Sequence, residues 1–392
     1  MSGHIVDLFG GSNILATFII TIINFVLRAI GSLPLLGFLN PLADWLGSEP
    51  VVTFVSWLIA ITIMIAWAAM LHLLTFIWLE RKIVARLQDR RGPMITRKKD
   101  RYIGGTGYLQ QIADALKLLQ KENITPRAAD PWMFHIAPAF LISTTILVLV
   151  ALPFSEGFVI ANLPAGILLI IAVFSLAPIA ILLASWAQNN KYAMIGGMRA
   201  AAMMMSYEIP MILAVIGVIV LAGTLNPIEI VNQQAQPSIF APLAAIGIAN
   251  WYIIPGFLGF LIFLLAMMAE QERVPFDFPE AEEEVVHGWL VEYGGMRFGM
   301  IYGFKWLRTF VAAALVAILF LGGWHGPFLP QEIWFILKIY IVFFIFIWIS
   351  WSVPRIRIDQ VLSIGWRKLI PLALFNIFLA VLIVFANAQG WI

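Results

Sequence analysis

The 392 residues are 61% hydrophobic and only 12% charged, with a mean hydropathy of +0.93, whereas a soluble domain carries about 25% charged residues. That balance excludes a soluble enzyme and describes a multi-span membrane protein. With no cysteine, a disulfide framework, a thiolate zinc site and a self-ligated iron–sulfur cluster are excluded. A formal net charge of +2 offers no basic domain for nucleic acid.

Residues 1–55 read as an N-terminal extension. Ile14 to Ile30 is apolar but short for a span, contains Arg28 and runs into Gly31 and Pro34. It fits an interfacial helix, an extra span or a signal anchor, and is assigned to a membrane-associated extra helix. No basic segment precedes it, which argues against a cleaved signal peptide. From residue 56 to the end the chain reads as one multi-span domain, all-α because a bilayer leaves no water for exposed backbone groups. Hydropathy gives about eight stretches near the roughly 20 residues a span needs: 56–79, 133–153, 165–187, 197–223, 252–271, 297–321, 332–351 and 367–387.

The connections between them sort by charge. The 80–131 connection holds twelve basic residues, from Arg81 and Lys82 to Arg127. The connections 154–164, 224–251 and 322–331 hold none, while Lys191, Arg273, Arg355, Arg357, Arg367 and Lys368 mark the alternate side. This positive-inside pattern puts the basic connection and residues 270–296 together on the cytoplasmic side. Within the former, Gly107 to Glu122 is predicted to be an amphipathic helix. Leu109, Ile112, Leu116 and Leu119 share one face, with Gln110, Asp114, Lys117 and Lys121 opposite. It is either a packed connector or one wall of a lipid-side opening.

The connection 270–296 stands apart. It carries Glu270, Glu272, Asp277, Glu280, Glu282, Glu283, Glu284 and Glu292 out of 22 acids in the chain, with Arg273 and Arg297 as its few cations. Pro275 and Pro279 prevent a continuous helix. Carboxylates so crowded titrate in coupled steps, which suits a proton-coupled device; a solvated surface loop is the plainer alternative.

Two further acids sit where acids are expensive. Glu80 closes the first span beside Arg81 and Lys82, so an interfacial position explains it. Glu208 lies inside the fourth span, nine residues after Arg199 and two before Pro210, and marks a functional position. Lys305 and Arg308 in the sixth span are accounted for by snorkelling; Lys338 in the seventh has no assigned task. Met203, Met204 and Met205 fit either core packing or contact with an isoprenoid tail. Arg355 and Arg357 in PRIRIDQ serve as a positive-inside anchor or dock a soluble partner. The five histidines show no metal-ligand spacing.

Several segments together carry a resemblance: ERKIVARLQDRRGP, GGTGYLQQIADALKLLQKENITP with ADPWMF, NNKYAMIGGMRAAAMMMSYEIP, VPFDFPEAEEEVVHGWLVEYGGMRFG, GGW at 322–324 and VPRIRIDQVLSIGWRKLIPL. From Glu80 to Leu372 they resemble the H subunit of respiratory complex I, the equivalent of the mitochondrial subunit called ND-one. The resemblance implies a subunit of a proton-pumping NADH:quinone oxidoreductase in the bacterial inner (plasma) membrane. It implies no redox centre and no covalent or metal-ligated cofactor, with ubiquinone or menaquinone as substrate.

The implied partners are iron–sulfur and quinone-site subunits of the peripheral arm, the small and antiporter-like membrane subunits, and lipid. Quinone would enter between the first span, the amphipathic helix and the sixth span. Chamber and coupling roles fall on Glu80, Arg81, Glu208, Asp277, Glu280, Glu282, Glu284, Glu292, Arg297, Arg355 and Arg357. Ferredoxin-linked complexes and membrane-bound hydrogenases contain similar subunits, so the electron donor stays open. A free-standing secondary transporter, the rival class, would show an internal repeat with matched broken helices, and Glu208 with Pro210 has no counterpart in the other half. The long N-terminal extension and the basic MITRKKDRY segment depart from the family pattern.

Overall fold

The computed structural model describes residues 74–94, 96–98, 101–103, 107–156, 159, 162–236 and 251–389. The N-terminal extension and most of the first predicted span lie outside them. Among the described residues the regular elements are helices, apart from one antiparallel hairpin, β1 (Thr96–Lys98) with β2 (Arg101–Ile103), in which Arg97 pairs with Tyr102. Both strands overlap the MITRKKDRY segment. A run without Gly or Pro, carrying Ile, Thr and Tyr, favours such a pairing over a loop.

Among the described residues six helices are long and apolar enough to cross a membrane. In chain order they are α3 (Pro131–Ala151), the pair α4 (Gly166–Phe174) and α5 (Leu176–Ala187), α6 (Lys191–Ala222), α10 (Gly295–Phe320), α11 (Gln331–Ser352), and α12 (Ile358–Ser363) running on into α13 (Ile370–Ala388). The predicted first span is represented by α1 (Leu74–Leu87), and α2 (Gln110–Gln120) is the predicted amphipathic helix, about one turn shorter than expected at its start. The predicted span 252–271 is the 14-residue α8 (Phe257–Glu270). Short helices α7 (Pro227–Gln234) and α9 (Glu282–Val285) complete the set.

Local sequence explains the boundaries. Asp130 caps α3, accepting from the amides of Trp132 and Met133, and Pro131 takes the first helical position. Asn190 caps α6 in the same way, and Gly223 in the left-handed region ends it. The predicted span 165–187 is interrupted at Ser175, three residues before Pro178, whose ring cannot follow the carbonyl of Phe174 in a regular helix. Pro210 does not interrupt α6. The carbonyl it releases, that of Ser206, instead faces Gly365 in the π-helical turn Ile364–Leu369.

α10 is the central helix: from Leu307 to Phe320 every residue is buried. Around it α3, α6, α8 and α11 contribute Phe134, Tyr207, Phe263 and Phe343, each 0–1% exposed. At the other extreme α13 turns Leu374, Phe375, Phe378 and Phe385 outward. An apolar surface of that kind is stable only against lipid or another apolar chain. The chain is a multi-pass membrane protein.

Candidate functional site

The site lies where α1, α2, the 271–294 connection and α10 meet. Gly295 begins α10 in the left-handed region, and Asn123 accepts from the amide of Met296 at 3.1 Å. Arg297 hydrogen-bonds the Ile124 carbonyl at 3.3 Å and Thr125 Oγ1 at 3.0 Å, with its guanidinium 5.1 Å from the Phe134 ring. Arg297 thus fixes the end of the α2 connection rather than neutralising the acids.

α2 runs along α10 with Leu118 against Gly299. Its polar side faces inward: Arg81 of α1 donates to Asp114 at 2.7 Å and to Gln111 at 3.0 Å, and Gln111 is buried. Leu109, Ile112, Leu116 and Leu119 are 36–59% exposed. The apolar stripe thus faces outward, the inner face being held by a charge-assisted hydrogen bond. Between these elements lies a cavity of about 370 Å³, lined by Leu74, Ile77 and Arg81 of α1, Asp114 and Leu118 of α2, and Phe298 and Tyr302 of α10 among others.

Tyr302 is shared with a second, charged cavity of about 270 Å³, which reaches Glu80, Glu272, Arg273, Asp277, Glu280 and Lys305. Phe298 stacks on Tyr302 at 5.9 Å and Tyr302 meets Trp306 edge-on at 6.1 Å, so an aromatic ladder along α10 joins the two spaces. Arg273 sits over the Trp306 ring at 4.9 Å and pairs with Glu80 at 3.0 Å, both side chains at most 15% exposed. Glu80 is therefore paired across 193 residues of chain and not with its neighbours Arg81 and Lys82.

Further in, charges alternate. Lys305 pairs with Glu272 at 2.9 Å and also with Glu280. One turn deeper Arg308, 2% exposed, pairs with Glu270, and its guanidinium packs 5.1 Å from Phe174. Glu270 is in electrostatic reach of Glu272 and of Glu208. Glu208, half-buried, accepts from the hydroxyl of Ser175, the residue at the α4–α5 break. Snorkelling does not describe Lys305 and Arg308: both turn inward to carboxylates. The sequence signal that could have found them is two cations three residues apart, on one face of the helix that follows an acid-rich connection.

The connection itself divides in two. Glu270, Glu272, Asp277 and Glu280 lie inside, while Glu282, Glu283 and Glu284 on α9 have side chains 81%, 77% and 56% exposed. Burial pushes the Glu280 carboxyl up, with Lys305 opposing and Glu272 adding to the rise. Burial likewise raises Asp277 against Lys305 and Arg355. Glu283 moves the other way, lowered by its own backbone amide and by Arg355. Arg355 joins Glu283 at 2.7 Å and Asp277 at 3.3 Å, and Arg199 joins Glu284 at 2.5 Å. Arg199 is thereby committed to α9 and not to Glu208. Arg357 is exposed at the start of α12.

The connection holds its shape through backbone contact. Val286, His287 and Gly288 all have positive φ, and a Cβ on Gly288 would lie 1.9 Å from the Pro279 carbonyl. Gly196 of α6 touches the same point, its absent Cβ 2.6 Å from Gly288 Cα. Buried Gln188 donates to the Trp289 carbonyl and accepts from the Glu292 amide, and the Glu292 carboxylate accepts from Asn190 at 2.9 Å. Glu292 is thus a clasp between the connection and α6. Met203 and Met204 are core residues and only Met205 of the three faces outward.

Among the described residues no cluster of three or more His, Cys, Asp or Glu side chains forms a metal site. The arrangement therefore offers a mostly apolar cavity, with the Arg81–Asp114 pair in its wall, beside a charged one, and a line of buried ion pairs leading from the second towards Glu208.

Comparison with known proteins gives the family. The family profile described as NADH dehydrogenase matches residues 59–381. A protein of Anoxybacillus flavithermus, named as the H subunit of NADH-quinone oxidoreductase, is 44% identical over 309 residues, 78% of this chain and 87% of that one. Proteins of the same name from Dehalococcoides mccartyi (43% over 304 residues, 78% of this chain and 80% of that one) and a Geobacillus strain (43% over 309 residues, 78% and 87%) are similar. With the match running through the helices that build both cavities, the chain belongs to the NADH dehydrogenase family of membrane subunits, the H subunits of complex I.

Proposed function

We propose that the chain forms the membrane wall of a quinone chamber in a proton-pumping NADH:quinone oxidoreductase, and that its buried acids couple quinone reduction to proton movement. The observation that carries this reading is the cavity of about 370 Å³ between α1, α2 and α10. Its walls are mostly apolar, α2 turns an apolar stripe outward, and Tyr302 joins it to the charged cavity. A quinone is amphipathic in the same sense: an isoprenoid tail for the first space, a polar headgroup for the second.

Headgroup reduction demands protons and shifts negative charge. A low-dielectric site magnifies that change, since interaction energy scales inversely with the effective dielectric constant. Glu280, Glu272, Glu270 and Glu208, alternating with Lys305 and Arg308, give it a route into the membrane, by electrostatics or by proton exchange. Glu80 with Arg273 forms the wall nearest the opening. The exposed α9, with Arg355 and Arg357 beside it, is the face for the iron–sulfur and quinone-site subunits of the peripheral arm, and α13 is one for lipid or the small and antiporter-like membrane subunits.

The relatives' names favour NADH as the donor over ferredoxin or hydrogen, and the quinone is ubiquinone or menaquinone. The charge pattern of the connections supports a cytoplasmic position for the acidic one, in the bacterial inner membrane. No redox centre is assigned to this chain.

A photoreactive quinone analogue on the purified complex tests the reading. Label on α1, α2 or α10 is the expected result; label confined to soluble subunits would remove the chamber from this chain.

A further inference from the structure

Lys305 and Arg308 hold their carboxylates in different ways. The Arg308 guanidinium is enclosed by Phe174 and Phe304 and, among the described residues, pairs with Glu270 alone, both 2% exposed. The Lys305 ammonium is shared by two carboxylates from separate points of the connection, Glu272 directly after α8 and Glu280 eight residues on. It borders the charged cavity of about 270 Å³, and the Trp289 ring offers a second seat at 5.6 Å. An ammonium on a flexible four-carbon stem can change partners without losing donors, as a planar guanidinium cannot.

Around it, buried polar atoms lack protein partners: Glu272 Oε1, both amide atoms of Gln271 and Ser350 Oγ, all belonging to residues that line the same cavity. The groups facing the ammonium are Glu272, Arg273, Asp277 and Glu280 of the connection, Glu80 of α1 and Tyr302 of its own helix. One cation therefore balances two carboxylates, and a third negative charge in the cavity would compete for it.

We infer that Lys305 is a movable counterion: negative charge arriving in the cavity draws the ammonium off Glu280, which then takes up a proton from water, and departure of that charge returns the ammonium and releases the proton. Lys305 is in this account a positioning residue, acting on Glu280 and not on the quinone. The inference rests on the chamber and coupling reading above, and deepens it by naming the group that links cavity occupancy to the acids.

The test compares the complex carrying Lys305→Met with one carrying Lys305→Met and Glu272→Gln together. The second restores the charge balance around Glu280 and so guards against a variant that simply fails to assemble. Subunit content, quinone reductase turnover and protons moved per electron are measured in proteoliposomes. The expected result is that the double variant assembles normally while its proton-to-electron ratio stays at least about twofold below the parent. Wild-type turnover and ratio in the double variant would overturn the inference, leaving Lys305 a static counterion. Quinone-analogue labelling of α2 in the same preparation separates this failure from failure of the chamber reading, because a static Lys305 leaves that labelling intact.

Discussion

The two halves of the acidic connection share a composition and differ in almost everything else. From Glu270 to Glu280 the acids face inward: Glu270 meets buried Arg308 and Glu272 and Glu280 meet Lys305, while Asp277, 26% exposed, reaches out to Arg355 and bridges the two halves. From Glu282 to Glu284 they face water, and their partners Arg355 and Arg199 are surface side chains. Glu280 and Glu283, three residues apart, are displaced in opposite directions, the first by burial and the second by its backbone amide and Arg355. Acidic composition alone therefore says little; the dielectric surroundings decide which carboxylate is pushed towards taking up a proton.

The largest effect that would sharpen this contrast is on the buried side. Arg308→Met leaves Glu270 buried without its partner, and removing one member of such a pair costs about 3–5 kcal/mol. The outcome is loss of assembled complex on native gels; replacing Glu270 by Gln in the same chain should recover part of it. Next is Gly288→Ala, which forces a Cβ against the Pro279 carbonyl at a positive φ. The cost is about 1–3 kcal/mol, visible as faster proteolysis within 276–290 while the spans stay protected.

Glu208→Gln keeps the Ser175 contact sterically but removes the charge. It should lower coupled quinone reductase activity several-fold in fully assembled complex. Normal pumping in that variant would end the line of acids at Glu270.

The pH dependence is smaller and has a definite sign. Glu280 is raised in the fold above its ordinary 4.5, chiefly by burial, so the folded state binds its proton more tightly than the unfolded chain. Its contribution to stability is complete below about pH 4.5 and declines from there as pH rises through the raised folded value. Amide exchange of residues 276–290, corrected for intrinsic rates, should quicken over that window, and Glu280→Gln should flatten the response. Glu283, shifted down, contributes in the opposite sense, losing its share only on acidification. Smallest of all, Glu282→Gln should lower turnover by about twofold at most, through weaker docking at α9, since its side chain is 81% exposed with His287 Nδ1 at 3.7 Å as its nearest partner.

Much of this is legible in the residues. Hydropathy locates most of the long helices to within a few positions, because lipid-spanning length is a strong constraint, although α6 begins at Lys191 against a predicted 197 and the α12–α13 run at Ile358 against a predicted 367; the α2 stripe is readable from its period. The hairpin at 96–103 is not: short strands of basic residues leave no hydrophobic signature. Nor is the break at Ser175, since a half-helix pair has the hydropathy of one span. At the site, Glu80 and Glu208 stand out in sequence as acids in apolar surroundings, but their partners Arg273 and Ser175 are distant along the chain and only the fold brings them near. Lys305 and Arg308 read as snorkelling cations because the sequence does not say which way a side chain on α10 points. The eight acids read as one cluster because spacing alone cannot separate inward from outward in an irregular segment.

Redox-triggered infrared difference spectroscopy on the assembled complex tests the central claim most directly, with Glu280→Gln compared against Glu283→Gln. Loss of a protonated-carboxyl band during quinone turnover in the first variant, with the band retained in the second, is the result the buried pairs require. A spectrum unchanged by Glu280→Gln would contradict it.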